Sequence, residues 1–306
     1  MKHRGSVHFL GEFAWAVGVP YGFERAIKVN ESGLAGGRAL ITFHRDDLQW
    51  AGGWSAIENL LSQCGLDTRF YRQLSTAFAR AELIHFGLEG AMPLVTQEPW
   101  ALPSASDSSG SSPVTKIYFE SPAVEDSDAL WWDPNWPQGG PRPLYLAYKW
   151  QSGAAPIVSH YGFYPAHSAF RVPEVVRQSQ TGLSQPMRDA IDRLLDICNI
   201  PGERLPEHLL TVTEPANSRQ SVVVNVYSSG LVLGECAAAL TTLLDALAPT
   251  SAAQCKQWLT SNEHCHLGHL SWGCGRENEP FVGCYYGVRE LAAGGSPTDG
   301  REPHYC

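Results

Sequence analysis

The sequence predicts an α+β fold: a ten-stranded antiparallel β-barrel surrounded by helices, built by residues 1–306 as one domain. Three observations lead there. Strand-like runs come in pairs joined by polar, glycine- or proline-rich connections. Helical stretches separate most of the pairs. Polar side chains recur on one face of the strands. Hairpins alternating with helices do not suit a parallel sheet, where single strands alternate with helices. Five consecutive hairpins can close on themselves, which removes the exposed edges of a sheet. An open antiparallel sheet with helices on one face is the alternative.

Taken in order, RAIKV (25–29) and RALITF (38–43) flank NESGLAGG. Helical DLQWAGGWSAIENLLSQCG and FYRQLSTAFARAE follow. ELIHFGLE (82–89) pairs with TKIYFE (115–120) across a long connection containing PSASDSSGSSP, a solvated loop by composition. DALWWD (128–133) and PLYLAYKW (143–150) flank PNWPQGGPR and make the third hairpin. MRDAIDRLLDICNI carries apolar residues at helical spacing. HLLTVTE (208–214) and SVVVNVY (221–227) flank PANSRQ. Helical LVLGECAAALTTLLDAL and AAQCKQWLTS precede the last pair, LGHLSWG (267–273) and FVGCYYGV (281–288).

Composition narrows the function. Charged residues are 17% and the net charge is −9, so no basic stripe exists to neutralise nucleic-acid phosphates. An acidic chain that handles a phosphate must gather its few cations in one place. No apolar run reaches about 18 residues, so no membrane span is expected. The start, MKHRGSVHFLGEFAWAVGVP, resembles a weak secretion signal, but Glu12 interrupts it and no small-residue cleavage site follows. The eight cysteines are scattered singly, as thiols of a cytoplasmic protein are. HCHLGH gathers His264, Cys265, His266 and His269, but it runs into a strand whose alternation scatters them over two faces, so no metal site is expected. Asp46-Asp47 has no DDxxD continuation. The nucleophile-elbow, P-loop and HExxH motifs are absent.

What remains is the polar content of the strands. Lys116 and Tyr118 share a face, as do Tyr145, Ala147 and Lys149, and Asn225 and Tyr227. Trp272 and Tyr286 lie in the last hairpin, and Arg38 opens the second strand. These faces are either wet outer faces or the lining of a lumen. Helices wrapped around a barrel demand an apolar exterior, which favours the lumen. Lysine, arginine and tyrosine together suit a pyrophosphate, through charge-assisted hydrogen bonds and hydroxyl donors. An allylic diphosphate that ionises leaves a carbocation that aromatic faces hold and shield.

Over residues 20–288 the chain resembles the ABBA-fold aromatic prenyltransferases, most closely those that prenylate ribosomal, cyanobactin-type peptides. The segments that carry the resemblance are FERAIKVNESGLAGGRALITF, LLSQCGLDTRFYRQLSTAFARAELIHFGLEG, HLLTVTEPANSRQSVVVNVY and LSWGCGRENEPFVGCYYGV. It departs from that pattern at 120–145, which is short and rich in Trp and Pro, and at 151–185, which is long. The resemblance implies that Glu24 is the catalytic carboxylate facing the acceptor. It implies that Arg38, Lys116, Lys149 and Asn225 bind diphosphate. Tyr118, Tyr227, Trp272 and Tyr286 would shield the carbocation. A position near Leu210 or Thr211 would control donor length, and Thr211 there would leave room for a geranyl chain. Read without the resemblance, Glu24 equally suits a surface ion pair with Arg25 or Lys28.

The function implied is prenyl transfer from geranyl or dimethylallyl diphosphate, with Mg2+ at the leaving group, by a cytoplasmic monomer. The acceptor would be a Tyr, Trp, His or Arg side chain of a macrocyclic or linear peptide. Two alternatives stand beside it: a prenyltransferase acting on a small indole or phenol, and a non-enzymatic barrel that binds a small molecule.

Overall fold

The computed structural model describes residues 6–90, 113–121, 141–165, 172–198, 208–217 and 219–295. Ten antiparallel strands close into one barrel, each hydrogen-bonded to its neighbours in sequence, with the last paired to the first. They are β1 (Tyr21–Asn30), β2 (Gly33–His44), β3 (Leu83–Glu89), β4 (Val114–Glu120), β5 (Arg142–Gln151), β6 (Ile157–Pro165), β7 (His208–Thr213), β8 (Gln220–Asn225), β9 (Leu267–Cys274) and β10 (Pro280–Leu291). The open-sheet alternative is thereby excluded.

Two strand boundaries differ from the sequence expectation. The third hairpin is β5–β6, with Tyr145 opposite Tyr161 and Lys149 opposite Ile157. DALWWD lies outside the described residues, and IVSHYGFYP supplies the sixth strand. The turn between β1 and β2 is also tighter than NESGLAGG suggests. Asn30 pairs directly with Gly33, so LAGG belongs to β2. Gly33 has φ +122°, a conformation that only glycine adopts without strain, and this permits the short turn.

Among the described residues eight α-helices pack outside: α1 (Ser6–Val17), α2 (Arg45–Trp50), α3 (Trp54–Gln63), α4 (Tyr71–Phe78), α5 (Val172–Ser179), α6 (Gln185–Cys198), α7 (Ala237–Leu247) and α8 (Ala252–Asn262). The apolar core therefore lies between barrel and helices, in two halves. Leu10 and Ala14 of α1 and Leu60, Leu61, Leu74 and Phe78 of the next helices pack on Ile41, Phe43, Phe86, Ile117, Phe119, Tyr148 and Trp150. Ile191 and Leu194 of α6, Leu240 and Leu244 of α7 and Trp258 of α8 pack on Val222, Val224, Leu270, Trp272, Val282, Cys284 and Tyr286. Each fully buried side chain of this kind contributes about 1.5–3 kcal/mol. Because strand side chains alternate, this outward apolar set fixes the other parity to the lumen. Among the described residues no helix is long and apolar enough to cross a membrane.

Candidate active site

The lumen has two chemically distinct ends. At one end, cationic side chains converge. Lys28 (β1), Arg38 (β2), Lys116 (β4), Lys149 (β5) and Arg219, just before β8, line one cavity, part of it open to solvent. Glu89, Tyr161, Ser221, Ser271, Phe281 and Tyr285 share its walls. Lys28 stands 4.4 Å from the Phe281 ring centre, and Arg38 5.8 Å from that of Tyr285.

Two carboxylates, the half-buried Glu89 and the buried Glu214, organise these cations. Glu89 pairs with Arg38 and with Lys116. Burial alone would raise the Glu89 pKa, but Arg38, Lys116 and Lys149 outweigh it and hold the carboxylate well below its usual range. Glu214, one residue past β7, accepts from Arg219 and Arg276 at 2.7 Å each and has Lys149 at 3.7 Å. Six cationic groups thus face two carboxylates. Burial lowers Lys116 well below the ordinary lysine range, and burial with Arg219 nearby lowers Lys149 to about 7. The Nε atoms of Arg38 and Arg219 are buried with no hydrogen-bond partner among the described residues. Buried N–H groups are nearly always satisfied in folded proteins, so two such donors in one cavity mark a place for an acceptor oxygen.

The other end carries carboxylates with histidine and tyrosine. Glu24 of β1 is 5% exposed, accepts from the Tyr227 hydroxyl at 2.5 Å and lies 3.5 Å from His269 Nδ1. Gly268 makes that meeting possible. A Cβ there would stand 2.4 Å from the Tyr227 ring and 2.6 Å from the Glu24 carboxylate. On the facing wall, His85 joins Glu120 at 2.9 Å and Thr42 at 2.8 Å.

Tyrosines fill the space between the two ends. The Tyr118 and Tyr161 ring centres are 5.7 Å apart, Tyr145 and Tyr161 5.6 Å, and His85 and Tyr145 5.4 Å, all edge-to-face. Burial pushes the Tyr118, Tyr145 and Tyr227 hydroxyls well above their usual pKa and Tyr161 up to about 12, so all remain protonated donors.

Of the residues expected from sequence, Glu24, Arg38, Lys116, Tyr118, Lys149 and Tyr227 come together in this lumen. Tyr227 reaches it from a 3-10 turn after β8 and not from the strand itself. Asn225 also lies on the lumen parity, but at the Glu24 end, where its side-chain oxygen accepts from the Tyr227 backbone N–H. It stands apart from the cations.

Three expectations are corrected. Trp272 faces outward, donating to Ser179 of α5 at 2.9 Å. Tyr286 faces outward, accepting from Trp258 of α8 at 3.0 Å. Thr211 lines an outer cavity beside α5 with Val175 and Gln178. The reason is parity. Val282 and Cys284 belong to the outer core, so their alternation carries Tyr286 outward and its neighbour Tyr285 inward. Leu210, on the same parity as Val212, takes the inward place that Thr211 was given.

Residues that the sequence reading missed include Lys28, Glu89, Tyr161, Glu214 and Arg219. Lys28 and Glu89 follow from alternation with Glu24 and His85. Tyr161 was legible in the period-2 run V-S-H-Y-G-F. Arg219 and Glu214 lie in a turn, where no periodic pattern points inward.

A ten-stranded antiparallel barrel wrapped in helices is the fold of the ABBA prenyltransferases, and the chain has that fold. Three solved structures illustrate the likeness. The 5-dimethylallyltryptophan synthase from Streptomyces coelicolor, in complex with DMASPP and Trp, has a TM-score of 0.56 at 16% identity over 93% of this chain and 81% of its own. PriB, solved as a binary complex with product diphosphate, has 0.53 at 14% identity over 93% and 83%. The 6-dimethylallyltryptophan synthase from Micromonospora olivasterospora, also with DMASPP and Trp, has 0.52 at 16% identity over 87% and 81%. No protein-family profile and no curated protein sequence matches the chain.

Proposed function

We propose that the protein is a prenyltransferase that moves a dimethylallyl or geranyl group from its diphosphate to an aromatic or basic side chain of a peptide. The observation that carries this reading is the cation-rich end of the lumen, with its two unpartnered arginine Nε–H groups, set across a belt of tyrosines from the buried Glu24. Diphosphate binders in three solved neighbours of the same fold support it. A carrier for a neutral ligand gains nothing from gathering Arg38, Lys116, Lys149 and Arg219 together, because Glu89 and Glu214 offset only part of the cost of desolvating them and an anionic ligand offsets the rest.

In this mechanism Arg38, Lys116, Lys149 and Arg219 hold the diphosphate and take up the charge that develops on it as the C1–O bond breaks. The allylic cation left behind sits against Tyr118, Tyr161 and Tyr285, whose ring faces stabilise it and keep water away. The acceptor, entering at the Glu24 end, supplies the electron pair for the new bond. Glu24 takes the proton that the acceptor loses, steadied by the Tyr227 hydroxyl.

Among the described residues no group of three His, Cys, Asp or Glu side chains comes together. Glu89 and Glu214 are held by arginine and lysine. Mg2+ that enters with the donor would ride on diphosphate oxygens, and no step here depends on it.

The peptide acceptor rests on the sequence resemblance; a free aromatic amino acid is the second reading, favoured by the tryptophan complexes of the same fold. One experiment tests both. The protein is incubated with each diphosphate and with tryptophan, linear peptides and macrocyclic peptides, and products are read by mass. An added isoprenyl unit on a peptide supports the first reading, and one on tryptophan alone supports the second. No transfer to any acceptor, with the diphosphate left intact, would overturn the proposed activity.

A further inference from the structure

We propose that Glu214 is a positioning residue of the diphosphate end: it grips one terminal nitrogen of Arg219 and gathers Lys149 and Arg276 beside it, leaving the Arg219 Nε–H for an oxygen of the leaving group. The inference rests on the donor reading above and adds how that site is held in shape.

Glu214 has no exposed side-chain surface. It opens the turn between β7 and β8 and does not line the cavity itself, so it acts through residues that do. One of its oxygens accepts from Arg219 at 2.7 Å and from Ser159 at 3.1 Å. The other accepts from Asn217 and from Arg276 Nε, both at 2.7 Å. Lys149 stands 3.7 Å away. One carboxylate among three cations cannot neutralise them. It collects positive charge that would otherwise repel itself apart, and leaves a surplus facing the lumen. With its fork anchored on Glu214, the Arg219 side chain keeps a buried Nε–H that no described group accepts. The opposite wall repeats the device: Glu89 holds a terminal nitrogen of Arg38, and the Arg38 Nε is likewise unpartnered. Two arginines that line the same cavity, each held by a carboxylate, keep one unpartnered Nε–H apiece. A diphosphate has two phosphate groups to receive them.

The test is inorganic pyrophosphate binding, measured by calorimetry across pH 6–9 for the wild type, Glu214→Gln and Glu214→Asp, alongside the KM and kcat for dimethylallyl diphosphate. Loss of a charge-assisted contact predicts roughly a tenfold or greater loss of pyrophosphate affinity in Glu214→Gln. KM should rise by more than kcat falls. The second readout is the pH limb set by Lys149. That lysine faces Glu89 and Glu214, which hold its proton on, and Arg219, Arg276 and the cross-strand Lys116, which push it off. Removing the Glu214 charge moves the limb to lower pH, whereas Glu214→Asp keeps the charge and keeps the limb. A purely structural role would lower thermal stability in both variants and leave the limb in place, which would overturn the proposal. So would wild-type pyrophosphate affinity in Glu214→Gln. If Glu214→Gln does not fold, Arg219→Lys decides: it keeps the charge but removes the aimed Nε–H, and unchanged affinity there refutes the inference. A wild type that binds no pyrophosphate sinks the donor reading itself, an outcome distinct from a wild type that binds and a variant that binds equally.

Discussion

Lys116 is the residue whose removal tests the charge argument most directly. Its ammonium is 6% exposed and paired with Glu89, which also holds Arg38. Changing it to methionine keeps the bulk and removes the charge. A hydrogen bond to a charged group contributes about 1.5–3 kcal/mol, so pyrophosphate affinity should fall roughly 10- to 150-fold. The effect on stability is smaller and has an internal limit. Deleting one partner of a buried pair costs about 3–5 kcal/mol when the other is stranded. Here Arg38 still compensates Glu89, whose side chain is 23% exposed, so the loss should stay below about 3 kcal/mol. Calorimetry with pyrophosphate gives the first quantity and denaturant unfolding the second. A folded Lys116→Met protein that binds pyrophosphate as tightly as the wild type would refute the assignment of this end of the lumen to the donor. A stability loss at the full stranded-charge value would instead refute the sharing of Glu89 between two cations.

Lys149, lowered to about 7 by burial and by Arg219, should be protonated at pH 6 and largely neutral at pH 8. Pyrophosphate binding should therefore weaken across that range relative to Lys149→Met, in which the titrating group is gone; identical pH profiles would contradict this. Tyr286→Phe leaves the Trp258 indole N–H buried without its acceptor and should cost about 1–3 kcal/mol in unfolding experiments. The same variant should leave the donor KM unchanged, because Tyr286 lies outside the barrel. Gly268→Ala should push Tyr227 from Glu24, since the added carbon would stand 2.4 Å from the ring; kcat should fall with the donor KM little altered. Leu210→Trp should narrow the lumen and favour dimethylallyl over geranyl diphosphate in competition, whereas Thr211→Trp on the outer face should not.

The division between sequence and structure follows from how strands encode information. Local alternation sets which residues share a face, so Lys116 with Tyr118, and Tyr145 with Lys149, were legible directly. Pairs of strands set against helices were enough to name a ten-stranded barrel. The demand for an apolar exterior under the helices was enough to send those polar faces inward. Parity within an aromatic run is a different matter. Tyr285 and Tyr286 are adjacent and alike, and only the packing of Val282 and Cys284 against α7 and α8 decides which enters the lumen. The same holds for Leu210 beside Thr211. Turn residues escape alternation altogether, which is why Glu214 and Arg219 carried no signal until barrel closure brought the β7–β8 turn beside Lys149. The sequence alone determined the kind of barrel and the chemical character of its lining, because periodicity and composition are local properties. The tertiary structure alone decided which cations meet around which carboxylate, because those contacts join strands far apart in the chain and exist only once the barrel has closed.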